Sequence, residues 1–437
     1  MKNVKKFPIG GVHLPEEKHL TTNVEIKEMS TPDTVAIPLQ QHIGAPCKPL
    51  VEVGQSVRRG ECIAANDEGL SAKIHASISG VVKGIQKRAT PDGNEIDCLV
   101  IEKGDKVDDE VFLDISKGDS DIDTIREIVK EAGIVGLGGA CFPTHVKLNP
   151  PADKPIDTVL INGAECEPYI TVDDRLMQEK SKELFRGLDL IMRTVGAKKG
   201  IIGCEINKPE ALKQLNKEAS NWENLYVEPL DTRYPHGAEK HLIKAILNRE
   251  VPLRALPMEV KVVVNNVHTA ISIAEAVDQG KSLTGRVLTV SGRGVKEQRN
   301  LFVPFGTSVE DVINFCGGFS CDNPSIILGG PMTGRKVEDI STPVMKGTSG
   351  IVVLNENEYD ESDIRACIRC GKCVEVCPMY LSPNRIVNFV NNDMYDEAED
   401  IGVNDCIECG ACAFVCPSKR PLVRWIKEGK AALKKRD

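Results

Sequence analysis

The sequence predicts a multidomain protein of α/β and β class: an all-β module, an α/β domain, a second β-rich unit and a small cysteine-rich module. Three observations carry that prediction. At 437 residues the chain exceeds what one hydrophobic core serves, so roughly two to four domains are expected. Hydrophobic periodicity switches along the chain between a strand pattern and a strand-plus-helix pattern. Eight of the 16 cysteines fall after residue 366, in two copies of one spacing.

The first ~105 residues are rich in β-branched side chains and in Gly or Pro turns such as VGQ, RRG and DEG. This is the pattern of a sandwich or small barrel. The stretch resembles the barrel-sandwich fold of lipoyl and biotinyl carriers, including a strand reading ASISGVV. Carriers commonly present Met-Lys at a hairpin tip; here the comparable residues read EGLSAKIH, and Lys73 is expected to be structural. A polar, Asp-rich linker follows at 104–123, with helix signals from Ile122 to Glu131. From Gly133 to about Pro252, apolar runs (DTVLING, GIIGCEI) alternate with helical stretches (PEALKQLNKEAS, GAEKHLIKAILNRE), which is α/β grammar. From about Glu259 to Pro331 short strands return, beginning with KVVVNNV. Cysteine runs and a basic helical tail close the chain. The expected domains are 1–110, 111–255, 256–335 and 336–437.

A net charge of −9 and the lack of a basic stripe argue against nucleic acid as a partner. No apolar run approaches the ~18–20 residues needed to span a bilayer, and the N-terminus has no apolar segment typical of secretion signals. Any membrane association is therefore expected through protein partners. In this setting a high cysteine count points to metal or redox work rather than disulfides.

The first run is Cys367-x-x-Cys370-x-x-Cys373-x-x-x-Cys377-Pro378, and the second is Cys406-x-x-Cys409-x-x-Cys412-x-x-x-Cys416-Pro417. A CxxCxxC loop can wrap three corners of a cubane, with the fourth cysteine on the following helix. Structural zinc takes its ligands in pairs and needs neither the third cysteine nor the proline. Two [4Fe–4S] clusters are expected. The runs resemble those of bacterial two-cluster ferredoxins. That resemblance implies crossed ligation: Cys367, Cys370, Cys373 and Cys416 for cluster one, and Cys406, Cys409, Cys412 and Cys377 for cluster two. Cys47, Cys62, Cys98, Cys166, Cys204, Cys316 and Cys321 have no ligand spacing and are expected as buried free thiols. His236 and His268 are expected in loop or core.

Residues 133–148 read GIVGLGGACFPTHVKL. Their glycines allow close approach of backbone to a phosphate or flavin, although the spacing is not that of a GxGxxG fingerprint. The segment resembles the G-R-G-G-A-G-F-P-T-G-x-K flavin loop of the NADH-oxidising subunit of respiratory complex I. Asn162-Gly-Ala-Glu-Cys-Glu-Pro168 resembles that family's N-A-D-E-S-E-P, Tyr234-Pro-His-Gly-Ala-Glu239 its Y-x-C-G-E-E, and Val264–Thr269 its V-x-N-V-E-T. A run at Gly10–Lys18 (GGVHLPEEK) completes a closer resemblance, covering almost the whole chain, to the RnfC family of the Rnf electron-transport complex.

That resemblance implies a Rossmann-like FMN/NADH-binding domain, a ligand-binding β-grasp domain and a ferredoxin-type module. It also implies noncovalent FMN, an NAD(H) site and a peripheral position at the cytoplasmic face of a membrane. The partners would be the other subunits of an ion-pumping complex, with ferredoxin reached indirectly. Carried over, Gly136, Gly138 and Gly139 line the flavin and Lys147 lies near its phosphate. Asn162, Glu165, Tyr234, Asn265, Asn266 and Thr269 complete the FMN site, while Phe142, Glu167 and Glu239 hold the nicotinamide nucleotide. No residue is expected to act as acid or base, because hydride transfer requires none. The complex I arginine is Leu137 here, its aspartate is Ala164, and Cys141 replaces a glycine. A flavin and iron–sulfur cobalamin reductase of bacterial microcompartments shares most of these motifs and is the alternative reading.

Overall fold

A computed structural model describes residues 4–90, 93–105, 110–115, 119, 121–359 and 363–436. Part of the Asp-rich linker expected at 104–123 lies outside the described residues.

The N-terminal β module is two small sheets packed face to face. One runs Thr34–Pro38, Glu95–Lys103, Gly80–Ala89, Ser56–Val57; the other runs Lys48–Pro49, Cys62–Ala65, Ile74–His75. Val35, Ile37, Ile63, Ile74, Ile78, Leu99 and Ile101 fill the space between them. Lys73 is not at an exposed tip: its ammonium pairs with Glu131 at 2.6 Å, tying the module to the helix Ile122–Glu131. Residues 5–18 lie across the α/β unit, with Lys5 bridging to Leu230 and Val12 to Tyr234. The strand Ile26–Glu28 joins a different sheet.

The α/β unit is a four-stranded, all-parallel sheet in the order Leu225–Leu230, Lys199–Glu205, Thr158–Gly163, Val262–Asn266. Runs such as Val159-Leu160-Ile161 are continuously apolar because helices cover both faces. Two of those helices, Ser181–Val195 and Val267–Gln279, approach so closely that a Cβ on Gly187 would sit 1.9 Å from the Ala270 carbonyl oxygen. The stretch KVVVNNV, expected to open the second β-rich unit, is instead the fourth strand of this sheet, so the unit runs past the boundary expected at 255/256. A strand's apolar alternation does not say which sheet it enters. Strand order reverses between Thr158–Gly163 and Val262–Asn266, which opens a crevice at their carboxyl ends.

The second β-rich unit is a six-stranded mixed sheet: Ile26–Glu28, Arg299–Pro304, Gly285–Ser291, Gly350–Leu354, Ser325–Leu328, Arg335–Val337. The helix Val309–Phe315 covers it through Val309, Val312 and Ile313. Gly350–Leu354 is buried throughout and lies between two other strands, so this sheet crosses the boundary expected at 335/336.

The C-terminal module packs the helices Pro383–Val390, Tyr395–Asp400 and Leu422–Lys434 around Ile386, Val387, Val403, Leu422 and Ile426. The N-terminal arm clamps it to the α/β unit. Gly11 N–H donates to the Val376 carbonyl at 2.9 Å, and a Cβ on Gly10 would come within 2.8 Å of the same oxygen.

Candidate functional site

The glycine-rich loop is shaped by its own backbone. Gly136 N–H donates to the Phe142 carbonyl at 2.9 Å, and Cys141 N–H donates to the Gly136 carbonyl at 3.1 Å. Gly139 holds φ +112°, a conformation that favours glycine, and a Cβ there would meet nothing within 4 Å. Thr269, fully buried, fixes the loop by accepting from Leu137 N–H at 2.9 Å. The loop lies over the crevice where the parallel sheet reverses its strand order.

That crevice is a cleft of ≈ 630 Å³, within the range of ligand pockets. Its walls include Leu137, Gly138, Asn162, Glu165, Cys166, Glu167, Asp173, Tyr234, Glu239, Asn266 and Arg286. Ile407 and Cys409, from the second cysteine run, close one side. Seven expected site residues therefore share one cavity wall: Gly138, Asn162, Glu165, Glu167, Tyr234, Glu239 and Asn266. Asn162 donates to the Gly237 carbonyl at 2.8 Å. Asn266 caps the helix Val267–Gln279 through His268 N–H and donates to Asp173 at 2.7 Å.

Several expected residues take other positions. Gly136, Gly139, Phe142, Lys147, Asn265 and Thr269 are not in the cleft wall. Lys147 reaches toward it through Glu239, at 3.9 Å. Asn265 is buried in its strand with Nδ2 unpartnered among the described residues. The Glu165 carboxylate accepts from Asp173 and Asp174 N–H at 2.6 and 3.2 Å, and so caps the helix Val172–Glu179. The Glu167 carboxylate, expected to receive a nucleotide, accepts from Met332 N–H at 3.0 Å and from the Thr333 hydroxyl. It thereby ties the second β-rich unit to the cleft. Cys141 stays out of the wall: its sulfur packs toward Gly347, where a Cβ would come within 3.0 Å.

The electrostatics follow burial. Desolvation raises Glu165 to about 8, partly offset by Lys18 at 3.9 Å, and raises Asp173 to about 6. Lys18, from the N-terminal arm, donates to the Glu167 carbonyl at 2.9 Å and to the Ile170 carbonyl. Burial holds His236 and His268 below the usual imidazole range, as expected of core residues. Cys47, Cys98, Cys204 and Cys316 are buried as expected, but Cys62, Cys166 and Cys321 are partly exposed. Cys166 accepts from Gly237 N–H at 3.4 Å in the cleft wall. Asp173 and Arg286 lie outside every motif the sequence offered, and Lys18 and Cys166 lie inside two of them without having been singled out for the site; only the fold brings the four together here.

The two cysteine runs repeat in conformation as well as in spacing. Arg369 and Glu408 hold φ 57° and 58°, Gly371 and Gly410 hold 79° and 80°, and Tyr380 and Lys419 hold 56° and 52°. Backbone N–H groups of Arg369, Glu408 and Leu381 each donate at 3.4 Å to the sulfurs of Cys367, Cys406 and Cys377. One small cavity is ringed by Cys367, Cys370, Cys373 and Cys416; a second is ringed by Cys377, Cys406, Cys409 and Cys412. No three His, Cys, Asp or Glu side chains are placed around a single ion among the described residues. Cys367 and Cys370 are exposed, whereas the second ring abuts the cleft. The phenol of Tyr234, 4% exposed, donates to the Cys409 carbonyl at 2.7 Å and joins the cleft to that ring.

Four family profiles match the chain. "RnfC Barrel sandwich hybrid domain" matches residues 6–106, and "Nuo51 FMN-binding domain" matches residues 129–275. "SLBB domain" matches residues 287–336, and "4Fe-4S dicluster domain" matches residues 359–417. The C component of the proton-translocating ferredoxin:NAD(+) oxidoreductase complex of Clostridium ljungdahlii is 44% identical over 422 residues, covering 96% of this chain and 92% of the relative. The C component of the Na(+)-translocating complex of Acetobacterium woodii is 44% identical over 423 residues, covering 96% of each. Among solved structures, an H2-reduced NAD+-reducing [NiFe]-hydrogenase chain shares the fold with TM-score 0.53 and 19% identity, over 72% of this chain and 64% of that chain.

Proposed function

The chain belongs to the RnfC family, a component of the Rnf-type ion-translocating ferredoxin:NAD(+) oxidoreductase complexes, and on that basis we propose how its cleft and cysteine rings pass electrons between NAD(H) and the other subunits. It is an oxidoreductase subunit with FMN-binding and 4Fe-4S dicluster domains. FMN, when bound, links two-electron hydride exchange to one-electron cluster chemistry.

One observation carries the reading. The second cysteine ring and the glycine-loop cleft share a wall, and Tyr234 hydrogen-bonds across it to Cys409. Cys377, Cys406, Cys409 and Cys412 would hold cluster two, next to the flavin site, and Cys367, Cys370, Cys373 and Cys416 would hold cluster one, on the side of the partner subunits, so that electrons moving in either direction between NAD(H) and partner would use the two in that order. The two rings support this crossed ligation, and the N–H donors to sulfur suit thiolate ligands.

The chain's residues fit a flavin in the cleft. The side of Gly139 without a Cβ is open, and Gly136, Gly138 and Gly139 let the backbone approach a flat ring. Asn162 and Asn266 set the polar wall, Thr269 and Asn265 support it, and Lys147 is near enough to meet a phosphate. Glu165 and Tyr234 hold the wall in place. Glu239 would accept hydrogen bonds from the nicotinamide nucleotide, with Glu167 fixing the wall that faces the second β-rich unit; Phe142, outside the cleft wall, would need to turn toward it to stack on the nucleotide.

The reversed order of the parallel strands supports a Rossmann-like label for the second unit, extended through the helix Val267–Gln279. The mixed sheet with its covering helix supports a β-grasp label for the third, extended through Gly350–Leu354. No helix among the described residues is long and apolar enough to cross a membrane. We place the chain peripherally on the cytoplasmic face, held by partner subunits, with ferredoxin served indirectly. The relatives favour this over a cobalamin reductase.

The test is anaerobic mixing of purified full-length protein with NADH. Flavin absorbance together with bleaching of the cluster band is expected. Flavin-free protein that still carries two clusters would sink the reading.

A further inference from the structure

We propose that Arg286 supplies a fixed, buried positive charge to the cleft and sets how tightly reduced FMN is held relative to oxidised FMN. The proposal rests on the FMN reading above and goes beyond it, because the charge comes from the second β-rich unit rather than from the α/β unit.

Arg286 lies on the strand Gly285–Ser291 and is 1% exposed, yet it lines the cleft beside Leu137 and Gly138. A guanidinium has five N–H donors. Here Nε donates to the Val287 carbonyl at 3.3 Å, Nη2 to the Leu137 carbonyl at 3.2 Å, and Nη1 to the Lys346 carbonyl. All three acceptors are neutral. Among the described residues no carboxylate lies within ion-pair distance of Arg286; the acidic groups that act on it are the Cys141 thiol and then Asp173, the one carboxylate, in the same wall.

A buried cation with only neutral partners is costly unless a ligand brings compensating negative charge. Burial accordingly pulls the guanidinium down to about 10, still charged at neutral pH. The geometry holds that charge against the glycine-rich loop. Nη2 grips the carbonyl of Leu137, the position at which the complex I pattern has its own arginine. Lys346, also fully buried, grips the Gly133 carbonyl at 2.7 Å and the Lys73 carbonyl at 2.8 Å behind the same loop.

A flavin that takes up two electrons and one proton gains one negative charge. A cation fixed in a weakly screened site favours that form over the oxidised one. Asp173 acts in the opposite sense from the same wall.

The test compares Arg286→Gln, Arg286→Lys and Asp173→Asn in full-length protein carrying FMN and clusters, by anaerobic redox titration of the flavin. In Arg286→Gln the preference for reduced over oxidised FMN should fall about tenfold, which for a two-electron couple lowers the midpoint by about 30 mV. Arg286→Lys should recover most of that, and Asp173→Asn should move the midpoint upward. An unchanged midpoint in FMN-loaded Arg286→Gln overturns the proposal, as does an equal shift in the Gln and Lys variants, which would indicate loop geometry rather than charge. If Arg286→Gln does not fold, Asp173→Asn decides: a midpoint that is unchanged or lowered overturns it. Wild-type protein devoid of FMN would instead overturn the reading on which the proposal rests.

Discussion

Replacing Cys377 or Cys416 by serine separates crossed from local ligation and fixes the order of the clusters. Cys377 follows Cys373 by four residues, yet it rings the same cavity as Cys406, Cys409 and Cys412, whereas Cys416 rings the cavity of Cys367, Cys370 and Cys373. Each substitution removes one of four thiolate ligands from a single ring, so about four of about eight irons per chain should be lost, with about half the cluster absorbance. The two losses differ in consequence, because only the ring containing Cys377 shares the cleft wall. Cys377→Ser should keep FMN and the exposed cluster, but NADH should no longer bleach the cluster band at the wild-type rate. Cys416→Ser should keep the cluster beside the cleft, and NADH should still reduce it. The assay is iron and FMN analysis followed by stopped-flow mixing with NADH under anaerobic conditions. The opposite pattern, with fast bleaching surviving in Cys377→Ser and lost in Cys416→Ser, is what local ligation predicts with the same order of transfer, and it would refute the crossed ligation.

Two further outcomes follow from single side chains in the cleft. Tyr234→Phe removes the hydroxyl that satisfies the Cys409 carbonyl in a buried setting, at a cost of about 1–3 kcal/mol. A urea melt followed at the cluster band should shift to lower midpoint with cluster content unchanged, and equal melts for the two proteins would count against this bridge. Asp173 has its native pKa raised by burial from 3.8 to about 6. The folded state therefore binds the extra proton, so the stabilisation is complete below about pH 4 and is lost as pH rises through about 6, amounting to about 3 kcal/mol. Asp173→Asn cannot titrate, and denaturant unfolding between pH 4 and 7 should show a correspondingly flatter profile; parallel profiles would refute the assignment.

The parts legible in the sequence were those set within a few residues of one another. The cysteine runs, the glycines at 136–139 and the alternation of the β module are local patterns, and the matching φ values at Arg369 and Glu408 reflect the repeated spacing. Two strands join sheets that the sequence did not name for them, because apolar alternation identifies a strand without naming its sheet. KVVVNNV pairs with Thr158–Gly163, more than a hundred residues earlier, and Gly350–Leu354 completes a sheet that starts at Ile26. Glu165 and Glu167 were singled out in the sequence, but not their partners, since a helix N-terminus at Asp173 and a loop at Met332 reach them only through folding.

By itself the sequence determined the inventory: eight cysteines in two runs of one spacing, a glycine-rich loop, and the order of the modules. Only the tertiary structure decided which cysteines ring which cavity, which ring faces the cleft, and that Arg286 and Lys18 bring charge to it from other parts of the chain. The physical reason is range. Ligand spacing and φ preferences are fixed by bonds between near neighbours. Charge placement and the contact between cleft and cysteine ring depend on burying sheets and helices against one another, and no short segment encodes that.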